Sequence, residues 1–239
     1  MKRFWRDVSV VPEGDRRSIA LDGRPVRTPG RAPLAVPTAA LADAIAEEWR
    51  AVTETVDPRA MPLTGLANAA IDRVGPDRAA FAAGLARFGE SDLLYYRAEG
   101  PVELVARQAN AWDPILDWCR GRYGIRFEIT AGVMHVPQPE TTVTRLAGAV
   151  AAYDPFVLAP LSPIVSLTGS LVLALALAEG AATPDAVWTA ASIDEDWQAE
   201  QWGEDDLATA ATANRRAEFQ AAARFLELSK GPLTSPGDG

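Results

Sequence analysis

The stretch Val8–Val36 reads VSVVPEGDRRSIALDGRPVRTPGRAPLAV. Its short apolar runs, VSVV, RRSIAL, RPVRT and PLAV, are separated by PEGD, DG and PGR, residue types that favour turns. Asp22-Gly23 is the kind of dipeptide that a two-residue hairpin selects, because both turn positions need positive φ. The chain therefore opens as β structure.

At Thr38 the period changes. Leu41, Ile45, Trp49 and Val52 are spaced by four, four and three with polar residues between, which predicts an amphipathic helix. A link with Asp57-Pro58 and Met61-Pro62 follows. Leu66, Ala70, Ile71 and Val74 form a second helical stripe, and Phe81, Leu85 and Phe88 a third. Further helices are expected over about 101–112, 114–123, 141–153, 163–179, 184–191 and 192–228. Gly124 and Gly180 suit their C-terminal caps. IRFEIT (125–130) alternates apolar and polar residues and is expected to pair as a strand with VMHV (133–136). The fold class expected is α+β. Residues 1–75 form a β-rich part with connecting helices, 76–229 a mainly helical domain, and 230–239 a disordered tail.

Length, 239 residues, permits one or two domains with real cores. Net charge is −9, which disfavours nucleic acid and anionic membranes as partners. Residues 1–31 hold eight Lys/Arg against four Asp/Glu, so the other 208 residues carry −9 − 4 = −13. The five arginines from Arg16 to Arg31 have no interleaved aromatics for stacking on bases, and read as charged edge residues. One cysteine, Cys119, excludes an internal disulfide and fits a reducing compartment. Pro155–Ala178 holds no charged residue, but three prolines break it. Ser162-Pro163 looks like a helix start, leaving roughly 16 residues, short for a bilayer and suited to a buried helix.

No phosphate-binding, zinc-protease or nucleophile-elbow motif occurs. One histidine and one cysteine make a zinc site improbable, so neither metal nor cofactor is expected. His135 reads as a partly exposed strand residue, since no serine stands on a strand-to-helix elbow beside it. Cys119, with Ile115 and Tyr123 four residues either side, reads as core.

The stretch SIDEDWQAEQWGEDD (192–206) is the chemical anomaly, with seven carboxylates among fifteen residues. Ser192 and Glu195 have the spacing of a capping box, and Asp194 and Asp196 would sit favourably in the first turn. At 100° per residue Ile193, Trp197 and Leu207 share one sector, the expected buried stripe. Glu195, Gln198, Trp202 and Asp206 share the opposite one. A tryptophan on the polar face of an acidic helix is either second-layer core or a contact for a partner.

RFWRDVSV, LDGRPVRTPGRAPLAVP, EEWRAVTETVDPRAMPLTGLANAAIDRV, SDLLYYRA, RQANAWDPILDW and SIDEDWQAEQWGE, in that order, resemble the motifs of one family. It is the F-type ATP synthase assembly chaperone that binds the unassembled α subunit, in mitochondria and α-proteobacteria. The resemblance covers roughly Arg3 to Leu228. It implies a β-rich N-terminal domain, a helical C-terminal domain and a function without chemistry. The chaperone covers α-subunit surface that the β subunit later occupies, which suits a client whose exposed apolar interface aggregates. Carried over by position, Trp49, Met61, Pro62, Leu63, Thr64 and Gly203 fall on family motifs as structural residues. Glu195, Gln198, Trp202 and Asp206 are the expected partner contacts. No mitochondrial presequence precedes these motifs, so a monomeric, cytoplasmic bacterial form is expected.

The alternative reading is a carboxylate-dependent hydrolase using the acids near Glu195, which would need two carboxyls with pKa values pushed apart. With no phosphate cradle or ligand cluster in the chain, calorimetric titration with Mg-ATP should give no micromolar binding. A clear isotherm would overturn that expectation.

Overall fold

The computed structural model describes residues 1–203 and 206–230, with the backbone alone for 206–208. Residues 231–239 of the expected tail and the acids Glu204 and Asp205 lie outside the described residues. The Asp22-Gly23 turn has φ of 49° and 76°, with Leu21 and Arg24 opposed across it. Both central residues are left-handed, the conformation a tight hairpin requires. The Asp22 carboxylate also accepts the N–H groups of Asp7 (2.9 Å) and Arg6 (3.0 Å). These bonds, that of Asp7 first, hold its carboxyl below the usual range.

Strand β1 (Val8–Glu13) runs antiparallel to β2 (Arg16–Leu21). Strand β2 is central, because β3 (Arg24–Pro25) and β4 (Ala35–Val36) both pair with it. Its residues Ser18–Leu21 are accordingly buried. Helix α1 (Ala39–Ala51) starts at Thr38, whose hydroxyl accepts the Leu41 N–H. Its buried residues include Leu41, Ile45 and Trp49, the expected face, and Trp49 meets Trp5 edge to face at 5.3 Å.

Helix α2 (Pro62–Ala69) begins at the MPLT motif, with Pro62 in its first turn, where a missing N–H costs nothing. The leading N–H groups are capped from α1. Glu48 accepts Leu63 N–H (2.7 Å), Thr64 N–H (2.8 Å) and the Thr64 hydroxyl (2.7 Å). Half-burial raises its pKa, against the lowering effect of those bonds. The helix then widens into a π turn, Ala70–Val74. Asp72 on that turn accepts the Thr28 hydroxyl and the Gly30 N–H, both at 2.7 Å. A side chain at Gly30 would lie 2.6 Å from the Asp72 carboxylate, so only glycine fits that loop unchanged. One compact unit comprises Met1–Asp77, Pro155–Pro160 and the segment that begins at Arg224.

The other unit comprises Arg78–Asp154 and Leu161–Ala223. It holds helices α3 (Arg78–Ala86), α4 (Val102–Tyr123), α5 (Glu140–Ala151) and α7 (Leu171–Ala178), strands β5 (Tyr96–Arg97) and β6 (Thr130–Ala131), and α8 (Pro184–Trp202). Helices α6 (Pro155–Thr168) and α9 (Asp206–Ser229) contribute part of their length to each unit. Every residue of α7 is buried. Among the described residues no helix is long and apolar enough to cross a membrane.

Several expectations are corrected here. Helix α4 is continuous through Pro114, with Trp112 and Leu116 buried on either side, so packing overrides the loss of one N–H. Residues 125–129 do not pair with VMHV. Ile125 and Phe127 are buried as the alternation implies, but Thr130–Ala131 pairs in parallel with Tyr96–Arg97, and Val133 and Met134 are exposed. The apolar segment does not begin a helix at Ser162-Pro163. Helix α6 includes Pro160 and Pro163, and the break falls at Gly169, φ 66°, where Ser170 caps α7. Ser192 is no cap either: α8 runs unbroken from Thr183, whose hydroxyl accepts the Ala186 N–H, and Ser192 is buried inside it. That helix ends at Gly203, φ 85°, so 192–228 is two helices, not one.

Asp92, fully buried, receives the N–H groups of Leu94 (3.1 Å) and Val172 (3.0 Å), and so ties the turn at 93–95 to the start of α7. Burial raises its pKa to about 6, against hydrogen bonds from Ser170, Val172, Leu94 and Leu171. The folded state thus takes up this proton before the unfolded chain does. Stability from this group is fully present below the unfolded value near 3.8 and is lost as pH rises through about 6. Over that window, stability of the wild type relative to Asp92→Asn should grow on acidification, measured by urea unfolding at pH 7 and pH 5. A gap that shrinks would contradict the burial argument.

Candidate functional site

Helix α8 is fixed by its buried first half. The Trp188 ring packs on Phe219 with centroids 5.3 Å apart, and the Trp112 indole N–H donates to the Ala190 carbonyl at 2.7 Å. Gln108 of α4 donates its amide to Asp194 Oδ1 at 2.7 Å and accepts the Ala98 N–H at 2.8 Å. One residue earlier, Arg107 pairs with Glu200 at 2.7 Å, and its guanidinium lies 4.8 Å from the centre of the Trp197 ring. These contacts hold the acidic half of α8 against α4 and leave its other side free.

That free side borders an open groove of about 820 Å³ between the end of α8 and the start of α9, lined among others by Trp188, Glu195, Gln198, Trp202 and Arg215. Trp202 is 79% exposed at the last position of α8, where Gly203 ends the helix. Gln198 is exposed. Glu195 is not a cap: Arg215 reaches both of its carboxylate oxygens from one nitrogen, at 2.9 and 3.0 Å. The structure thus brings Glu195, Gln198 and Trp202 to one groove. The Asp206 and Leu207 side chains lie outside the described residues. Trp197, expected in the buried stripe, is half-buried because Arg107 rather than core covers its ring.

Among the described residues the acids of α8 do not form an acid–base pair. Asp194 is bound to Gln108, Glu195 to Arg215 and Glu200 to Arg107, and that last bond lowers the Glu200 pKa. Asp196 is shifted upward by partial burial first, then by the charges of Glu195 and Glu200. Neighbours that quench or repel leave no proton donor and acceptor facing a shared substrate position, so the hydrolase alternative has no support. His135 is exposed, off any strand, with Nδ1 3.1 Å from the Tyr96 hydroxyl. Cys119 is buried, and burial pushes its thiol up to about 12, far from a nucleophile's range. Among the described residues no three metal-binding side chains gather.

The motif residues Trp49, Met61, Leu63 and Thr64 are buried in the first unit, with Pro62 exposed at the start of α2 and Gly203 at the left-handed end of α8. Sequence reasoning missed Glu48, Arg107, Gln108 and Arg215. Gln108 stands four residues before Trp112, so a polar residue on a buried stripe was the available signal. Nothing local marks Arg215, which acts across two helices.

Residues 2–120 match the sequence model of a family described as ATP12 chaperone protein. The chain is similar to the crystal structure of Atp12 from Paracoccus denitrificans, with 45% identity, coverage of 96% of this chain and 98% of that one, and a TM-score of 0.91. It is similar to a candidate chaperone from Agrobacterium tumefaciens, with 46% identity, coverage of 96% and 86%, and a TM-score of 0.90. Protein atp12, mitochondrial, of Schizosaccharomyces pombe is 24% identical over 214 residues, 84% of this chain and 74% of its own.

Because Trp202 is exposed, Trp202→Ala should cost no more than about 0.5 kcal/mol in urea unfolding. Arg215→Ala, breaking a half-exposed ion pair, should cost about 1 kcal/mol or less. A loss of about 3–5 kcal/mol for Trp202→Ala would mark it as core.

Proposed function

Because this chain belongs to the ATP12 chaperone family, we propose that it assists assembly of the catalytic head of F-type ATP synthase. It does so by holding the unassembled α subunit and shielding the surface that the β subunit later covers. No catalytic step is involved. The observation that carries the reading is Trp202, which is 79% exposed at the end of a helix anchored on its other side. A large indole held in water by a rigid helix offers much apolar area at little ordering cost when a partner covers it. Glu195 and Gln198 line the same groove, and Asp206, three residues beyond Gly203 in sequence, is included in the proposed contact set. The acidic run Glu204-Asp205-Asp206 that follows Gly203 in sequence suits a client segment that carries lysine or arginine beside an apolar residue. The protein acts in the cytoplasm as a monomer, which suits a single buried thiol.

The test is capture of purified α subunit by the tagged protein, beside an unbiased pull-down from native cytoplasm. Trp202→Ala should weaken α-subunit binding by about 2 kcal/mol or more, near thirtyfold, with its unfolding curve unchanged. Glu195→Gln should lose only the part of binding that falls with added salt. Failure of the wild type to capture α subunit would end this reading.

A further inference from the structure

Residues 128–138 form a closed loop with an apolar tip. Gln138 shuts its neck: its amide N–H donates to the Glu128 carbonyl at 2.8 Å, and its carbonyl accepts the Glu128 N–H at 3.0 Å. Above the neck, Thr130–Ala131 pairs with Tyr96–Arg97, and the Gly132 N–H donates to the Arg97 carbonyl at 2.8 Å. His135 lies against the Tyr96 hydroxyl. Gly132, φ 79°, turns the chain beside Glu99, which sits 3.3 Å from where a side chain would begin. Every one of these ties is polar and lies below the tip. At the tip, Val133 is 91% exposed and Met134 77%, with Ile129 at 40% beneath them.

Apolar side chains in a floppy loop need no explanation, since loop tips tolerate most residues. Here the backbone is ordered by at least five hydrogen-bonded contacts, so its ordering cost falls in the free protein and not on binding. A partner therefore gains the apolar contact without that penalty, and methionine adapts its shape to an uneven surface.

We propose that this loop is a second contact for the α subunit, seating Val133 and Met134 in an apolar depression of its uncovered interface. The inference rests on the function proposed above. Shared bracing of the loop base and of α8 by α4 argues for that occupant. Ala98, which follows β5 at the base of the loop, donates to Gln108, and the same glutamine donates to Asp194 on α8. Arg97 pairs with Asp113 of α4 at 2.6 Å and lies 4.9 Å from the centre of the Trp112 ring, whose N–H binds α8. One turn of α4 thus braces both surfaces, and a client spanning them meets two preset elements. A membrane fits less well: Glu99, Glu128 and Glu140 are exposed nearby, and the chain carries −9 overall.

Equilibrium binding of purified α subunit to the full chain tests this. The double variant V133S/M134S should bind about tenfold more weakly, with its melting temperature and the salt dependence of binding unchanged. Gln138→Ala keeps the tip's chemistry and opens its neck, and should weaken binding in the same direction. Unchanged binding by V133S/M134S, with binding lost in Trp202→Ala, overturns the loop contact and leaves the chaperone reading standing. If the wild type binds no α subunit, the function itself fails. Should V133S/M134S instead alter only self-association in sedimentation, or only flotation with phosphatidylserine vesicles, the occupant is a second copy or a membrane and the proposal falls.

Discussion

A helix whose residues are all buried cannot send its leading N–H groups to water, and that constraint organises the helical unit. For α7, LVLALALA, the Ser170 hydroxyl takes the Leu173 N–H and the Asp92 carboxylate takes that of Val172. Asp92 also accepts from Leu94, and the Leu93 N–H donates to the Gly169 carbonyl. One buried carboxylate thereby fixes the turn at 93–95 against the helix start. Its cost is the raised pKa, the mark of a charge that hydrogen bonds only partly compensate. Tyr95, buried in the same turn, packs on Phe127 and donates to the Gly89 carbonyl, which extends the anchored region towards β5 and the loop beyond it.

From that centre the anchoring passes outward through α4. Gln108, Trp112 and their neighbour Arg107 each bind α8 or its side chains, and together they decide which half of that helix is scaffold and which is surface. The acids make sense on this view. Those facing α4 are consumed by Arg107 and Gln108, and Glu195 is matched by Arg215 across the groove. A contact surface needs this kind of balance, because unpaired like charges would repel each other as a partner approaches and strips water away. An acid–base apparatus would need the opposite, two carboxyls held apart in pKa over one substrate position.

The first unit follows the same logic on a smaller scale. Glu48, Asp22 and Asp72 each use one carboxylate to hold donors from another part of the chain: N–H groups of α2 from α1, N–H groups of the N-terminal segment from the hairpin turn, and the Thr28 hydroxyl and Gly30 N–H from the π turn. Carboxylate caps of this kind stabilise junctions that a small sheet cannot bury by itself. Beside these caps, the motif residues Met61, Leu63 and Thr64 supply the buried start of α2, while Pro62 presets its first turn.

What the sequence determined by itself was whatever depends on neighbours a few residues away. The Asp22-Gly23 hairpin needs only two residues able to adopt positive φ. The α1 face needs only the spacing of Leu41, Ile45 and Trp49, and the helix ends at Gly124 and Gly180 need only glycine. The family motifs likewise made the chaperone legible before any coordinate. Tertiary structure decided wherever distant segments compete for the same backbone groups. Thr130–Ala131 pairs with Tyr96–Arg97 instead of VMHV, which leaves Val133 and Met134 in water. Pro114, Pro160 and Pro163 stay inside helices because burial on both sides outweighs a lost N–H. Ser192 and Glu195 have the spacing of a cap, yet α8 is already under way from Thr183, so the serine is buried and the glutamate turns to Arg215. Spacing says which side chains share a face, but what covers that face is set by packing between segments far apart in the chain.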